Sequence, residues 1–274
     1  MRIQKLNTID AFFAIDLDGV PGRGIVRLAP RILQGGAKDL ARSITYTLAS
    51  LGQQETGISA GINSIPEERD KAITAFVQEI SDWDEKFFLS AGKGLTNEEL
   101  GIEADSNKKK LIATSAVTAA ITAVPKASTA VIENFDQNED LIEQLKSKKI
   151  EVIACADPFT TEADLLFCGS KVGILDHNVA ENIAVSAVIP IAPLPITARA
   201  IAHCQRRKII ALPDFVTTAG SVINNFAESE VLIKNIIEES LKHEDGPIIG
   251  ACIRAEKFLD SWQTNLPFGR PMAS

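Results

Sequence analysis

The apolar positions of this chain fall into two kinds of run. Short, nearly continuous apolar stretches bounded by turn residues read as buried strands: "AFFAIDL" at 11–17, "GIVRL" at 24–28, "TGISAGI" at 56–62 and "KFFLSAG" at 86–92. The first two are joined by "DGVPGR", whose glycines and proline suggest a hairpin or adjacent strands. Longer stretches carry apolar residues at helical spacing. One is "AKDLARSITYTLASLG" at 37–52, which stops at Gly52; another is "PEERDKAITAFVQEISD" at 66–82, which opens with proline and acids. These elements predict a first α/β unit over residues 1–106.

From Asn107 an Ala-, Thr- and Val-rich helix is expected to run to Pro125 and to bridge to a second unit. Beyond it, strand-like "TAVIEN", "IEVIACAD", "KVGIL", "AVSAVIPIA" and "KIIALPD" are interspersed with helical "NEDLIEQLKSK" and "ITARAIAHCQRR". Apolar strands flanked by amphipathic helices predict a parallel sheet covered on both faces, a Rossmann-like domain over 107–228. Helices around 216–228, 230–242 and 248–260 follow, and the segment 229–274 is expected to pack back on the first unit. The predicted fold class is thus α/β in two units.

With 274 residues, 45% of them hydrophobic, the chain can bury two such cores. A net charge of −8 repels nucleic acid and anionic lipid, so neither is expected as a partner. No apolar leader and no uncharged run of membrane-spanning length occurs, which predicts a cytoplasmic protein. Cys155, Cys168, Cys204 and Cys252 form no C-x-x-C pair, and His177, His203 and His243 do not join them at ligand spacing, so no metal site is expected. Cys155 and Cys252 read as small buried hydrophobes, His203 as an ordinary helix residue, and Lys108–Lys110 as a solvated helix face.

The turn after "TAVI" changes this picture. At this place in an α/β chain a dinucleotide's pyrophosphate docks on backbone N–H groups that glycines leave uncovered. The turn holds Glu133, Asn134, Phe135, Asp136, Gln137 and Asn138 instead. Two like charges about 4 Å apart repel by roughly 4 kcal/mol at an effective dielectric near 20, whereas a helix N-terminus offers an anion only about 0.3–1 kcal/mol. Asp136, Glu139 and Asp140, if they face the cleft, would make it hostile to a diphosphate. Asp157, some 20 residues past the turn, stands where a ribose-binding carboxylate is expected, or is simply a polar residue ending a strand before Pro158.

The stretch "VIPIAPLPITARAIAHCQRRKIIALPDFVTTAGSVI" at 188–223 resembles the Glu/Leu/Phe/Val amino-acid dehydrogenase family. The family run V-x-E-G-A-N-x-P-T-T-P-E-A, a helix, a strand, P-D or P-G and N-A-G-G-V lies on it without a gap, with Pro213, Asp214, Ala219 and Gly220 in register. "DGVPGRGIVRLAP" is similar to D-G-P-x-K-G-G-x-R-x-x-P, with about one residue inserted. "LARSITYTLASLGQQETGISAGI" is similar to the lysine-bearing segment that follows it in the family, and "FFLSAGKGLTNEEL" sits where the family has D-V-P-A-P-D-V-x-T. The resemblance implies the two-unit fold, a nicotinamide cofactor, an amino-acid or 2-oxo-acid substrate, and subunits paired through the N-terminal unit.

It also implies three lysines and an aspartate at the reaction centre, where this chain has Arg23, Thr47, Ser59 and Lys93. Arg23 keeps a charge able to grip a carboxylate. Neither Thr47 nor Ser59 can act as an ammonium, and Lys93 reverses the sign of the family's proton carrier. The family's G-x-G-N-x-G falls on Glu133–Asn138, its E-G-A-N on Pro190-Ile191-Ala192-Pro193, and its N-A-G-G on Thr218-Ala219-Gly220-Ser221.

Three readings follow. The first is a non-catalytic or repurposed member that binds a small metabolite or a protein partner without a cofactor. The second is a diverged oxidoreductase using NAD or NADP, and the third an enzyme without nicotinamide that uses Lys93 as base or Schiff-base nucleophile, although a lysine between two glycines also suits an exposed turn. The expected site residues are Lys93 and Ser59 at the exchanged catalytic positions, Arg23 and Asp18 with Thr217, Thr218 and Ser221 on the ligand, and Asp157 on a cofactor. Arg27 and Arg42 are expected to be salt-bridged structural residues, and a homo-oligomer is expected.

Overall fold

The computed structural model describes the chain except for residues 82, 84, 85, 104–106, 224, 225, 265, 267, 268, 273 and 274. It divides into two compact units, the first Met1–Asp105 with Leu259–Pro271, the second Ser106–Phe258 with Met272–Ser274. The expected boundary at residue 106 itself lies outside the described residues.

The first unit contains strands β1 (Arg2–Lys5), β2 (Ala11–Ile15), β3 (Gly22–Ala29), β4 (Thr56–Asn63) and β5 (Phe87–Ala91), with helices α1 (Gln34–Ser50) and α2 (Arg69–Ser81). The helix expected over 66–82 is a 3-10 turn, Pro66–Glu68, followed by α2; residue 82 lies outside the described residues. The sheet order is β1-β2-β4-β3-β5, with β3 parallel to β4 and β5. β2 and β3 are therefore not a hairpin. β4, buried along nearly its whole length, takes the central place between them, and α1 makes the crossover that a parallel β3–β4 pair requires.

Alternation along β3 separates the two faces of this sheet. Val26 and Leu28 join Phe13, Ile15, Ile58, Ala60 and Ile62 in a core closed by Phe76 of α2, whose ring stacks on Phe13 at 5.5 Å. Arg23, Ile25 and Arg27 look to the opposite face, where α1 covers Phe12 and Ala14. A Cβ on Gly57 would lie 1.9 Å from the Ala41 carbonyl oxygen, so a glycine there is what lets α1 sit so close to β4. Arg42 of α1 reaches buried Asp16 with three contacts of 2.8–2.9 Å and donates to the Gly269 carbonyl at 2.7 Å.

The second unit contains α3 (Lys108–Ala123), β6 (Thr129–Ile132), α4 (Glu139–Ser147), β7 (Glu151–Val152), β8 (Ala163–Cys168), α5 (His177–Asn182), β9 (Val185–Pro190), α6 (Ala198–Arg206), β10 (Ile210–Ala211), α7 (Asp214–Thr217), α8 (Phe226–Ser240) and α9 (Pro247–Asp260). Its sheet is Rossmann-like: five parallel strands in the order β10-β9-β8-β6-β7, the order reversing between β6 and β8.

Four expectations need correction here. "KVGIL" is not a strand: Gly173 turns the chain at φ +68°, and only Leu175 makes a single bridge, to Ile196. The strand belonging to the sheet is β8, whose Leu165–Cys168 are fully buried. "IEVIACAD" keeps just two residues of β7, and Asp157 lies in the turn beyond it. The helix from Asn107 is the central helix of this unit rather than a bridge, packing on α4, α7 and α8 through a face that is Ala-, Ser- and Thr-rich. Finally, α8 lies against α3, and residues through Phe258 group with the second unit; Leu259–Pro271 alone group with the first. Among the described residues no helix is long and apolar enough to cross a membrane.

Candidate functional site

In the second unit, at the place where the strand order reverses, the protein's own carboxylate takes the strand-tip donors. Glu133 follows the last residue of β6, and its N–H donates to the Phe167 carbonyl at 2.9 Å, extending the β6–β8 ladder by one residue. The side chain, 7% exposed, then crosses to the tip of β8. Its carboxylate accepts the N–H of Gly169 at 2.8 Å, the N–H of Ser170 at 3.0 Å and the Ser170 hydroxyl. Paired backbone N–H groups at such a tip are the donors an anion would use, and here they hold an internal carboxylate. Burial, reinforced by the Glu133 charge, pushes the neighbouring Cys168 thiol far above its ordinary range. The loop after β9 tightens the same spot, since a Cβ on Gly169 would come within 2.7 Å of the Ala192 nitrogen.

The turn into α4 lies beside it. Asn134 sits in the left-handed region at φ 53°, a conformation asparagine tolerates, and Phe135–Gln137 make one 3-10 turn. Asn138 precedes α4 without capping it; its amide donates back to the carbonyls of Glu133 at 3.1 Å and Asn134 at 3.0 Å. Asp136, Glu139 and Asp140 line, with Glu133, an open cleft of about 720 Å³ in which Lys109 is the single cation among the described lining residues. At this edge the strand-tip N–H groups of Gly169 and Ser170 are taken, the turn has no glycine, and four carboxylates line the space.

Asp157 is not among the residues of that cleft. Its carboxylate accepts from the Phe159 N–H at 2.9 Å and the Thr160 hydroxyl at 3.0 Å, which makes it the pivot of its own exposed turn. Thr217 and Thr218 turn their hydroxyls onto the Asp214 carbonyl at 3.2 and 2.8 Å, while the Ser221 N–H donates to the Thr218 carbonyl at 3.0 Å. The Asp214 carboxylate takes the N–H of Leu194 at 2.8 Å, pinning a residue with φ 58°. Gly220 lets this corner touch α3, for a Cβ there would lie 2.1 Å from the Leu111 carbonyl oxygen.

In the first unit, Arg23 does not present a free fork. Its Nε and Nη2 reach the Glu55 carboxylate at 3.0 and 3.4 Å, and its guanidinium lies 5.3 Å over the Phe88 ring centroid. Asp18 forms an exposed ion pair with Arg2 at 3.0 Å. Thr47 is buried within α1, its hydroxyl bonded to the Ser43 carbonyl at 3.1 Å. Lys93 points into solvent from a turn whose carbonyl accepts the Leu28 N–H at 2.9 Å. Ser59 is fully buried on β4 and accepts from Arg27 Nη2 at 3.2 Å. No base stands beside the Ser59 hydroxyl among its described contacts, so it lacks the activation a nucleophile needs.

The structure thus brings Ser59 to Arg27 and leaves Asp18 and Lys93 exposed. Arg42 is the salt-bridged structural residue expected, whereas Arg27 is not: it has no carboxylate partner among the described residues. Cys252 is buried as expected, but Cys155 is only half-buried, because β7 stops before it can be carried into the sheet.

Comparison with known proteins bears on this architecture. The sequence profile described as Glutamate/Leucine/Phenylalanine/Valine dehydrogenase matches residues 85–241, more than half of the chain. The chain belongs to this family. No curated protein sequence matches it. Among solved structures, L-tryptophan dehydrogenase from Nostoc punctiforme is similar with a TM-score of 0.75 at 15% identity, over 95% of this chain and 96% of that one. Hetero-hexameric glutamate dehydrogenase from Thermus thermophilus, in its Leu-bound form, has a TM-score of 0.74 at 14% identity, over 92% and 83% of the two chains. Glutamate dehydrogenase from Plasmodium falciparum has a TM-score of 0.74 at 14% identity, over 93% and 80%. At such identities the likeness is one of fold.

Proposed function

We propose that this member of the family has given up dinucleotide-dependent turnover and serves as a binding protein for a small ligand. The observation that carries the reading is the Glu133 carboxylate seated on the Gly169 and Ser170 amides, across the switch point where an open α/β sheet receives its ligand. The residues at the expected reaction centre support it independently: Arg23 is neutralised by Glu55, Thr47 and Ser59 bear no ammonium, and Lys93 is solvent-exposed. The four cysteines are free, which suits a reducing compartment such as the cytoplasm. Assembly of this chain with copies of itself is part of the proposal, since most soluble oligomers are symmetric, and is checked by light scattering.

A second reading, a diverged NAD- or NADP-dependent oxidoreductase acting on an amino acid or 2-oxo acid, is favoured by one observation. The fold likeness to the Nostoc punctiforme enzyme extends over 95% of this chain, both units included. An assay of nicotinamide reduction across the common amino acids, with either dinucleotide, separates the two. Absence of saturable turnover is the expected result; turnover that saturates with any amino acid would establish the oxidoreductase instead.

A further inference from the structure

We propose that the outward face of α6 is a docking surface for a short acidic segment of a partner protein, held by Arg199 and Arg206 with His203 between them. The proposal goes beyond the small-ligand reading and does not rest on it. α6 buries Ala200 and Cys204, and the Thr197 hydroxyl, accepting from the Ala200 N–H, fixes where its first turn begins. At 3.6 residues per turn, Arg199, His203 and Arg206 then fall at i, i+4 and i+7 on the opposite side, where both arginines are exposed.

These cations stand apart from other arginines of the chain. Arg2, Arg23, Arg42, Arg69 and Arg254 each pair with a carboxylate. Arg199 and Arg206 pair with none among the described residues; Arg206 Nη2 lies instead 3.4 Å from His203 Nδ1. With 36 acids against 28 lysines and arginines, carboxylates are the commoner charge in this sequence, so a basic stripe left unmatched calls for an external partner. Arg199 also runs against its own helix. A cation in the first turn opposes the helix dipole, and α6 has no acid there to offset it, whereas His203 and Arg206 suit the last turn. Local stability therefore accounts for two of the three residues and not for Arg199.

The surroundings set the size of the occupant. Arg207, next along, donates from Nη1 to the Ala180 carbonyl at 2.7 Å and shares a concavity with Glu162 and Asp164, while Lys208 lines another with Asp245. Acids thus border the stripe beyond the end of the helix. The unmatched charge runs from Arg199 to Arg206, about 10 Å at about 1.5 Å per residue, which is about three residues of an extended chain. Two planar guanidiniums at that spacing match the carboxylates of a Glu- or Asp-rich peptide. A nucleic acid or an anionic bilayer needs a wider basic field, and the net charge of −8 repels both over such an area.

The test uses the full-length protein and fluorescein-labelled hexaglutamate, followed by anisotropy in low salt, with hexaglutamine as the neutral control. The expected result is saturable binding of hexaglutamate alone, lost in high salt, where exposed charge pairs are screened. Arg199→Gln and Arg206→Gln should each weaken it about three-fold, and Arg199→Glu combined with Arg206→Glu should abolish it. Lys126→Glu combined with Lys146→Glu makes the same change in net charge at exposed positions elsewhere in the unit and should leave the affinity within about two-fold. No binding, equal losses in the two reversed pairs, or unchanged binding in both glutamine variants would overturn the site, the last whatever the stability of the reversed pair. Tighter binding of duplex DNA or of phosphatidylserine vesicles through the same arginines would overturn the acidic-peptide assignment. Self-association that the arginine reversal abolishes, read by light scattering, would give the face to a second copy of the chain and overturn it likewise. The titration contains neither dinucleotide nor amino acid, so its outcome is independent of the nicotinamide assay.

Discussion

Glu133 holds the strand tip at the switch point through its carboxylate. Its carboxylate has three protein donors, so Glu133→Ala removes three hydrogen bonds to part-buried groups and is expected to lower stability by about 1–2 kcal/mol in urea unfolding. A loss under half of that would mean that water replaces the latch at little cost. Sequence made the missing glycine legible but not the latch, because its partners lie 36 and 37 residues further on, at the end of a strand the pattern did not reveal. Arg27 was misplaced for a related reason: an arginine on a strand reads as half of a salt bridge, and only the register shows which neighbours are glycines. The thiols give an independent check on burial. Cys168, Cys204 and Cys252 are fully buried, and burial raises the Cys204 pKa to about 11, so only half-buried Cys155 should react with a thiol reagent in the native protein. Rapid native reaction of more than one thiol would contradict the packing.

At the scale of elements, the helical periodicities and the continuous apolar strands of the first unit were readable, but not the order in which strands pair. "ADLLFC" escaped because Asp164 breaks it and leaves only the four consecutive apolar residues Leu165–Cys168, whereas "KVGIL" has the composition of a strand and is bent by Gly173. Strand ends in the second unit are tied by Asp164, whose Oδ2 accepts the N–H and hydroxyl of both Ser128 and Thr129. The Ser128 amide leads in holding its pKa below the ordinary carboxylate value. A depressed native pKa stabilises the fold above the unfolded-state value near 3.9 and loses that contribution as pH falls through the native one. The stability gap between wild type and Asp164→Asn should accordingly narrow as pH drops below about 4, read from urea midpoints; a gap independent of pH would contradict this. Gly220 makes a packing prediction. Gly220→Ala drives a methyl into the backbone of α3 and should cost about 3 kcal/mol or more, which assigns the family-like Ala219-Gly220 pair a structural task in this chain. A neutral substitution would remove that task.

For the whole molecule, the α/β plan in two units is kept, while other residues stand where the family resemblance expects its glycines and lysines. Fold and family were legible in the spacing of Pro213, Asp214, Ala219 and Gly220, since those residues hold the loop after β9 and the corner against α3, where geometry rather than reaction fixes the residue type. The state of the sites was not, because it depends on pairings between distant residues: Glu133 with Ser170, Arg23 with Glu55, Arg27 with Ser59. The central claim is that the strand-tip N–H groups a dinucleotide would use are taken by the protein's own Glu133 carboxylate. Calorimetric titration of the native protein with NAD and then NADP tests it most directly: the account predicts no saturable heat up to millimolar dinucleotide, and a single-site isotherm with micromolar affinity for either would contradict it.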